Sequence, residues 1–158
     1  MKQQTLFEES HIWNPSAHIR ALTWIQPFAS LMLHGKIETR TWATNYRGWV
    51  LICAGKHPYS ISDLWDISGR ETSIRIGEKL NTVGIGFTLG NAIAIGRIID
   101  CFPMRPEHEQ ATFVKYDKNV RRFCHVYADV QEIEPFQWTG SQGWKILNDE
   151  QKSLIKVL

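Results

Sequence analysis

Apolar residues come in short bursts separated by polar turns, a pattern that predicts strands with small helices between them. The first burst, Ala21-Leu22-Thr23-Trp24-Ile25, predicts a strand and is stopped by Gln26-Pro27. Proline suits the first turn of a helix. A helix is therefore expected from Pro27 to His34, with Phe28, Leu31 and Met32 on one face and Gly35 at its end. Ile37 to Thr41 alternates, which predicts a strand with Glu38 and Arg40 on one face and Ile37 and Thr39 on the other. Beyond the turn Asn45-Tyr46-Arg47-Gly48, the run Trp49-Val50-Leu51-Ile52-Cys53-Ala54 reads as a strand buried on both faces.

In the second half, Pro58 to Asn81 has helical tendency, with a Ser68-x-x-Glu71 capping box. Ala92 to Ile99 predicts another long strand, with a bulge at Gly96. A polar connector follows from Arg105 to Asn119, and Phe123 to Val130 alternates as a strand. Asn148-x-x-Gln151 ahead of Leu154, Ile155 and Leu158 predicts a short capped amphipathic helix. Gly84-x-Gly86-x-x-x-Gly90 misses the G-x-G-x-x-G spacing and precedes its strand, so it reads as a loop. Residues 1–17 lack periodicity and read as a loosely attached arm, leaving 18–158 as one domain. The expected fold class is α+β, a small β-barrel with short helices inserted between strands.

A chain of 158 residues suits one hydrophobic core. Its 18 Lys and Arg against 16 Asp and Glu exclude a polybasic tail but leave room for a local basic groove. No apolar run approaches the roughly 20 residues of a membrane helix, so no membrane partner is expected. The polar start, MKQQTLFEES, has no apolar segment of the kind a signal peptide needs. The three cysteines, Cys53, Cys101 and Cys124, form an odd set in apolar stretches, which points to a reducing cytoplasm. No histidine pair has zinc spacing on a helix, and neither a metal nor a cofactor is expected.

Seven tryptophans are many for one small domain. Core filling accounts for most of them, but Trp24 and Trp42 lie beside polar and basic residues. Those neighbours are the densest chemistry in the chain. Glu38 and Arg40 project from one strand face about 6–7 Å apart, and Lys36 lies on the same alternation. Two cations bracketing a carboxylate can hold an anion or the polar edge of a base. The alternative is a salt-bridge ladder on the surface, which contributes little. His34, His57, His108 and His125 offer acid–base groups. His34 stands out because it adjoins the Gly35-Lys36 turn, where capping a helix end explains it equally well.

Gln26-Pro27-Phe28-Ala29 is similar to the Q-P-W/F-A opening of the ASCH domain, a branch of the PUA-like superfamily. Glu38-Thr39-Arg40-Thr41-Trp42 resembles its E-x-R-S/T-W strand, and Tyr46-Arg47-Gly48 before an apolar strand resembles its next element. Gly140-Ser141-Gln142-Gly143-Trp144 is similar to its Gly-Gln-Gly ending, so the likeness runs from Leu22 to about Leu147. One departure is that Gly35-Lys36-Ile37-Glu38 is shorter than the usual G-x-K-x-x-E, placing Lys36 two positions before Glu38. The resemblance implies a PUA-like barrel and a cleft for RNA or a nucleotide, lined by Trp24, Gln26, Pro27, Lys36, Glu38, Arg40, Trp42, Tyr46 and Arg47. In residue chemistry, Lys36, Arg40 and Arg47 can meet phosphate, while Trp24, Trp42 and Tyr46 offer faces to a base. Lys115, Lys118, Arg121 and Arg122 form a basic stretch that extends such a groove or serves as a solvated face.

Two enzymatic alternatives come with the resemblance. One branch of the family hydrolyses N4-acetylcytidine with a Lys, a Thr and a Glu. Here Glu38 occupies the position of that threonine and Thr39 faces away, so the catalytic candidates are Lys36, Glu38 and Thr41. Some members are associated with ribonuclease activity. An interaction module without nucleic acid is the non-enzymatic rival, and whether the chain is an enzyme stays open at this point.

Overall fold

The apolar run at Trp49 lies inside a six-stranded sheet in the computed structural model, which describes residues 12–83 and 88–158. Along the chain come β1 (Ile19–Trp24), α1 (Phe28–Leu31), a 3-10 turn (Met32–His34), β2 (Glu38–Arg40) and β3 (Gly48–Ala54). Then follow α2 (Ile61–Ser68), α3 (Arg70–Val83), β4 (Asn91–Pro103), a 3-10 turn (Pro106–His108), α4 (Glu109–Thr112), β5 (Phe123–Gln137), β6 (Lys145–Ile146) and α5 (Asp149–Ser153). The strand order is β2-β5-β4-β3-β1-β6, with β1 and β3 parallel and the other neighbours antiparallel. The sheet curls into a half-barrel with short helices, an α+β architecture.

β3 shows why the middle of the sheet is apolar on both faces. Val50, Ile52 and Ala54 join Leu22, Trp24, Phe28, Leu31 and Ile98 in one core. The alternate residues Trp49, Leu51 and Cys53 join Ile19, Ile95, Ile133, Trp138 and Leu147 in a second. The period of two along a strand produces this division. Trp13 packs edge-to-face on Trp49 with ring centroids 5.7 Å apart, against the second core. Most of the 1–17 segment and the loop beginning at Gly84 lie outside the described residues. No helix among those described is long and apolar enough to cross a membrane.

Two local expectations change. The helical stretch after Pro58 breaks at Gly69, whose φ is +77°, so two helices replace one. The capping box sits at the start of the first of them, where Ser60 Oγ accepts from Asp63 N at 3.0 Å and Asp63 accepts from Ser60 N at 3.3 Å. Ser68 instead donates its hydroxyl to the Phe113 carbonyl, tying α2 to the distant connector. The polar connector holds the second 3-10 turn and α4. At the other end of the chain, Asn148 and Gln151 cap α5 reciprocally as predicted.

The bulge near Gly96 has its extra residue on the partner strand. Between the pairs Ile95↔Gln131 and Arg97↔Ala128, β4 has Gly96 alone while β5 has Asp129 and Val130. Asp129 takes up the surplus in a left-handed conformation, φ +53°. Irregularities of this kind recur along β4 and β5 and increase local twist, which curls the sheet. Glycine is needed at 96 for space: a Cβ there would meet Val130 Cγ2 at 3.0 Å and Tyr127 Cδ1 at 3.3 Å. Gly96→Ala is expected to cost about 1–3 kcal/mol by overpacking. Urea denaturation checks this, and unchanged stability would contradict the close approach.

Candidate functional site

Gly35 turns the chain with φ +82° at the end of the first 3-10 turn, and β2 begins three residues later as an edge strand on β5. The turn is anchored on both sides, by Lys36 N to the Leu31 carbonyl at 3.3 Å and by Ile37 N to the Ala111 carbonyl at 2.9 Å. Its shortness brings Lys36 directly onto Glu38. Lys36 Nζ lies 3.2 Å from Glu38 Oε1 and donates to the Ile37 carbonyl at 3.0 Å. On the other carboxylate oxygen, Arg40 Nη2 lies 3.1 Å from Oε2 and also donates to the Thr23 carbonyl at 3.0 Å. The Thr39 N–H completes the set by donating to Oε1 at 2.8 Å.

This is not a surface ladder. The Lys36 and Glu38 side chains are 0% and 7% exposed and that of Arg40 is 20%. The Lys36 ammonium stands 5.2 Å from the centre of the Phe28 ring, and the Arg40 guanidinium 5.0 Å from that of Trp24. Burial by itself raises the Glu38 carboxyl, but Lys36, Arg40 and the Thr39 N–H together hold it below its ordinary 4.5. Burial pushes the Lys36 ammonium below its ordinary 10.5, against the lift from Glu38. Two donors at the triad, Arg40 Nε and Trp24 Nε1, are buried without a partner among the described residues.

The triad lines an open cleft of about 270 Å³ together with Thr23, Trp24, Ile25, Phe28, Thr39 and residues from farther along the chain. Those distant contributors are Ile67 at the end of α2, Val114 after α4, and Arg122 before β5. No family model matches the chain, and no curated protein is similar to it. Among solved structures, ASCH from Zymomonas mobilis superposes with a TM-score of 0.53, covering 87% of this chain and 96% of that one at 13% identity. The chain has the ASCH fold. A tyrosine-to-phenylalanine variant of the same protein gives a TM-score of 0.52 at 12% identity, covering 87% of this chain and 99% of that one.

Within this ASCH fold, Trp24, Lys36, Glu38 and Arg40 come together in the cleft, and other candidates are placed elsewhere. Gln26 is fully buried beneath it, accepting from Ser30 N at 3.0 Å and donating to Ser30 Oγ at 2.9 Å and to the Thr88 carbonyl at 3.2 Å. Gln26 and Pro27 thus brace the entry to α1. Trp42 and Tyr46 both pack edge-to-face on Trp144, and the Tyr46 hydroxyl donates to the Trp49 carbonyl at 2.6 Å. Burial raises that hydroxyl to about 12. Arg47 is exposed, donates to the Thr44 and Tyr46 carbonyls, and lines a different hollow beside Arg97.

Thr41 is exposed and outside the cleft lining, whereas Thr39 and Thr23 are in it. Thr39 joins the cleft lining, where its backbone N–H donates to Glu38 Oε1. None of the four histidines lines the cleft. His125 lies behind the triad, opposite Glu38, and its Nε2 donates to the Trp42 carbonyl at 2.9 Å. His34 ends the 3-10 turn, where burial lowers its pKa. Among the described residues, no group of three His, Cys, Asp or Glu side chains is placed to hold a metal.

Removing one member of a buried pair strands the other charge. Glu38→Gln is therefore expected to lose about 3–5 kcal/mol at neutral pH. Because folding lowers the Glu38 carboxyl, its stabilising contribution is complete above 4.5 and disappears as pH falls through the lower folded-state value. Urea titrations across that acid range should show a smaller acid-dependent loss in the variant than in the wild type. A neutral-pH loss under about 1 kcal/mol would mean the triad behaves like an exposed pair.

Proposed function

We propose that the chain binds RNA or a nucleotide in the Trp24–Lys36–Glu38–Arg40 cleft. The observation that carries this reading is a buried charged triad lying open to a cleft with aromatic walls. Structural ion pairs gain most when their remaining donors are satisfied, yet Arg40 Nε and Trp24 Nε1 stay unpaired among the described residues. The Trp24 and Phe28 side chains, which line the cleft, match the apolar faces of a base, and the ion-paired triad matches its polar edge. The ASCH fold agrees with an RNA-related role. The three unbonded cysteines accord with a cytoplasmic setting.

Hydrolysis at the same pocket is a second reading, favoured by one observation. A lysine of lowered proton affinity and two threonines, Thr23 and Thr39, line the cleft with Glu38. A lysine amine and threonine hydroxyls lining one cleft are the base and nucleophile that hydrolysis of an amide such as that of N4-acetylcytidine needs. Release of acetate from that nucleoside by the wild type, abolished in Lys36→Met, would establish this reading. Absence of turnover would leave the binding reading alone.

Titration of intrinsic tryptophan fluorescence with a short single-stranded RNA tests binding. A saturable, salt-sensitive change is expected in the wild type, and Arg40→Ala should weaken it by about tenfold or more. No fluorescence change and no retention of labelled RNA at low salt would overturn the RNA reading.

A further inference from the structure

The cleft does not end at Arg122. That residue also lines a second hollow of about 520 Å³, with Asp66, Lys115, Tyr116, Asp117, Lys118 and Asn119. The two share their dividing wall, because Ile67 and Val114 face the cleft while their chain neighbours Asp66 and Lys115 face the hollow. The Lys115 N–H donates to the Ile67 carbonyl at 2.9 Å, joining the segment after α4 to the end of α2 along that wall.

The charges on the two sides differ in kind. In the cleft, Lys36 and Arg40 are both committed to Glu38. The Arg122 side chain has no ion-pair or hydrogen-bond partner among the described residues, and neither do the ammonium groups of Lys115 and Lys118. Asp117 already accepts from Asn119 N at 2.9 Å. Together the two hollows carry five cations against three carboxylates, an excess equal to the +2 of the entire chain. A half-buried arginine without a partner, between a nucleoside-sized cleft and a wider cationic hollow, is placed for a phosphate.

We infer that Arg122 is the phosphate-recognition residue, and that the ligand is a strand: one nucleoside enters the cleft while the adjoining phosphodiester lies between Arg122, Lys115 and Lys118. This rests on the reading of the cleft proposed above. Arg40 then orients the base side of the ligand, and its neutralised charge adds little to phosphate affinity. Arg122, uncommitted among the described residues, supplies the salt-dependent part.

The test uses a fluorescein-labelled pool of random-sequence octaribonucleotides and a matching pool with uncharged methylphosphonate linkages, each titrated against the whole chain. Arg122→Gln is expected to weaken the phosphodiester pool about tenfold and the methylphosphonate pool less than about twofold. Its log–log salt slope should fall by roughly 0.7, one phosphate's share for a single strand. Lys115→Gln with Lys118→Gln should reduce the slope further. Circular dichroism melts should match the wild type, since Arg122 has no ion-pair or hydrogen-bond partner among the described residues to lose. Wild-type affinity in Arg122→Gln, with binding lost in Arg40→Ala, would overturn this inference and leave the cleft reading standing. Equal competition by nucleoside monophosphates would overturn the strand, and equal competition by a polyglutamate peptide would overturn the assignment to phosphate. Failure of the phosphodiester pool to bind any form of the protein would overturn both this inference and the RNA reading of the cleft.

Discussion

Glu38 holds two cations in a place where none of the three groups has enough water to be stable alone. Each carboxylate oxygen has its own cation, Lys36 on one and Arg40 on the other, and the Thr39 N–H shares the first. Desolvating these charges is costly, and only close, hydrogen-bonded geometry offsets it. That geometry in turn requires the short turn at Gly35, the docking of β2 on β5, and the Trp24 and Phe28 rings beside the cations. The ends of β1 and β2 and the start of α1 are therefore constrained together by one ionised side chain.

The curled sheet supplies the rest of the constraint. β4 and β5 are long and irregular, and their bulges bend the strands that carry His125 and Tyr127 around the inner core. β2 pairs only with β5, so the position of the triad follows the curvature of that strand. Ile67 at the end of α2, Val114 after α4 and Arg122 before β5 then form one side of the opening. These segments are tied to one another by Ser68 to the Phe113 carbonyl and by Lys115 N to the Ile67 carbonyl. A rigid triad on the sheet thus faces a wall built from connecting segments. A cleft with one wall of sheet and one of connections can present a fixed chemical floor beneath a variable rim.

Much of the sheet was legible because strands leave local marks. The alternation in β2, the doubly apolar β3 and the alternation in β5 each identify an element without reference to its partners. The capping pair Asn148 and Gln151 is equally local. Errors arose where a local signal had two uses. Ser68 and Glu71 have the spacing of a capping box, but the Ser68 hydroxyl is taken by a carbonyl 45 positions away. Gly96 marks a bulge because it has no side chain, yet that absence serves to admit Val130 and Tyr127, and the extra residue is opposite. Arg47 and Tyr46 read as site residues beside a motif, but they turn to backbone carbonyls and to Trp144.

By itself the sequence determined that Lys36, Glu38 and Arg40 share a face at the edge of a β-rich domain, since residue spacing and strand period are properties of a few consecutive residues. Only tertiary structure decided that this face is buried, that Gln26 and Pro27 support rather than line the cleft, and that Arg122 stands at its end. Burial and charge neutralisation depend on which distant segments pack together. Ile67 and Val114 line the cleft from separate segments with nothing in their own neighbourhoods to mark that meeting, and the basic stretch around Arg122 left groove and solvated face open until packing brought Arg122 to the cleft.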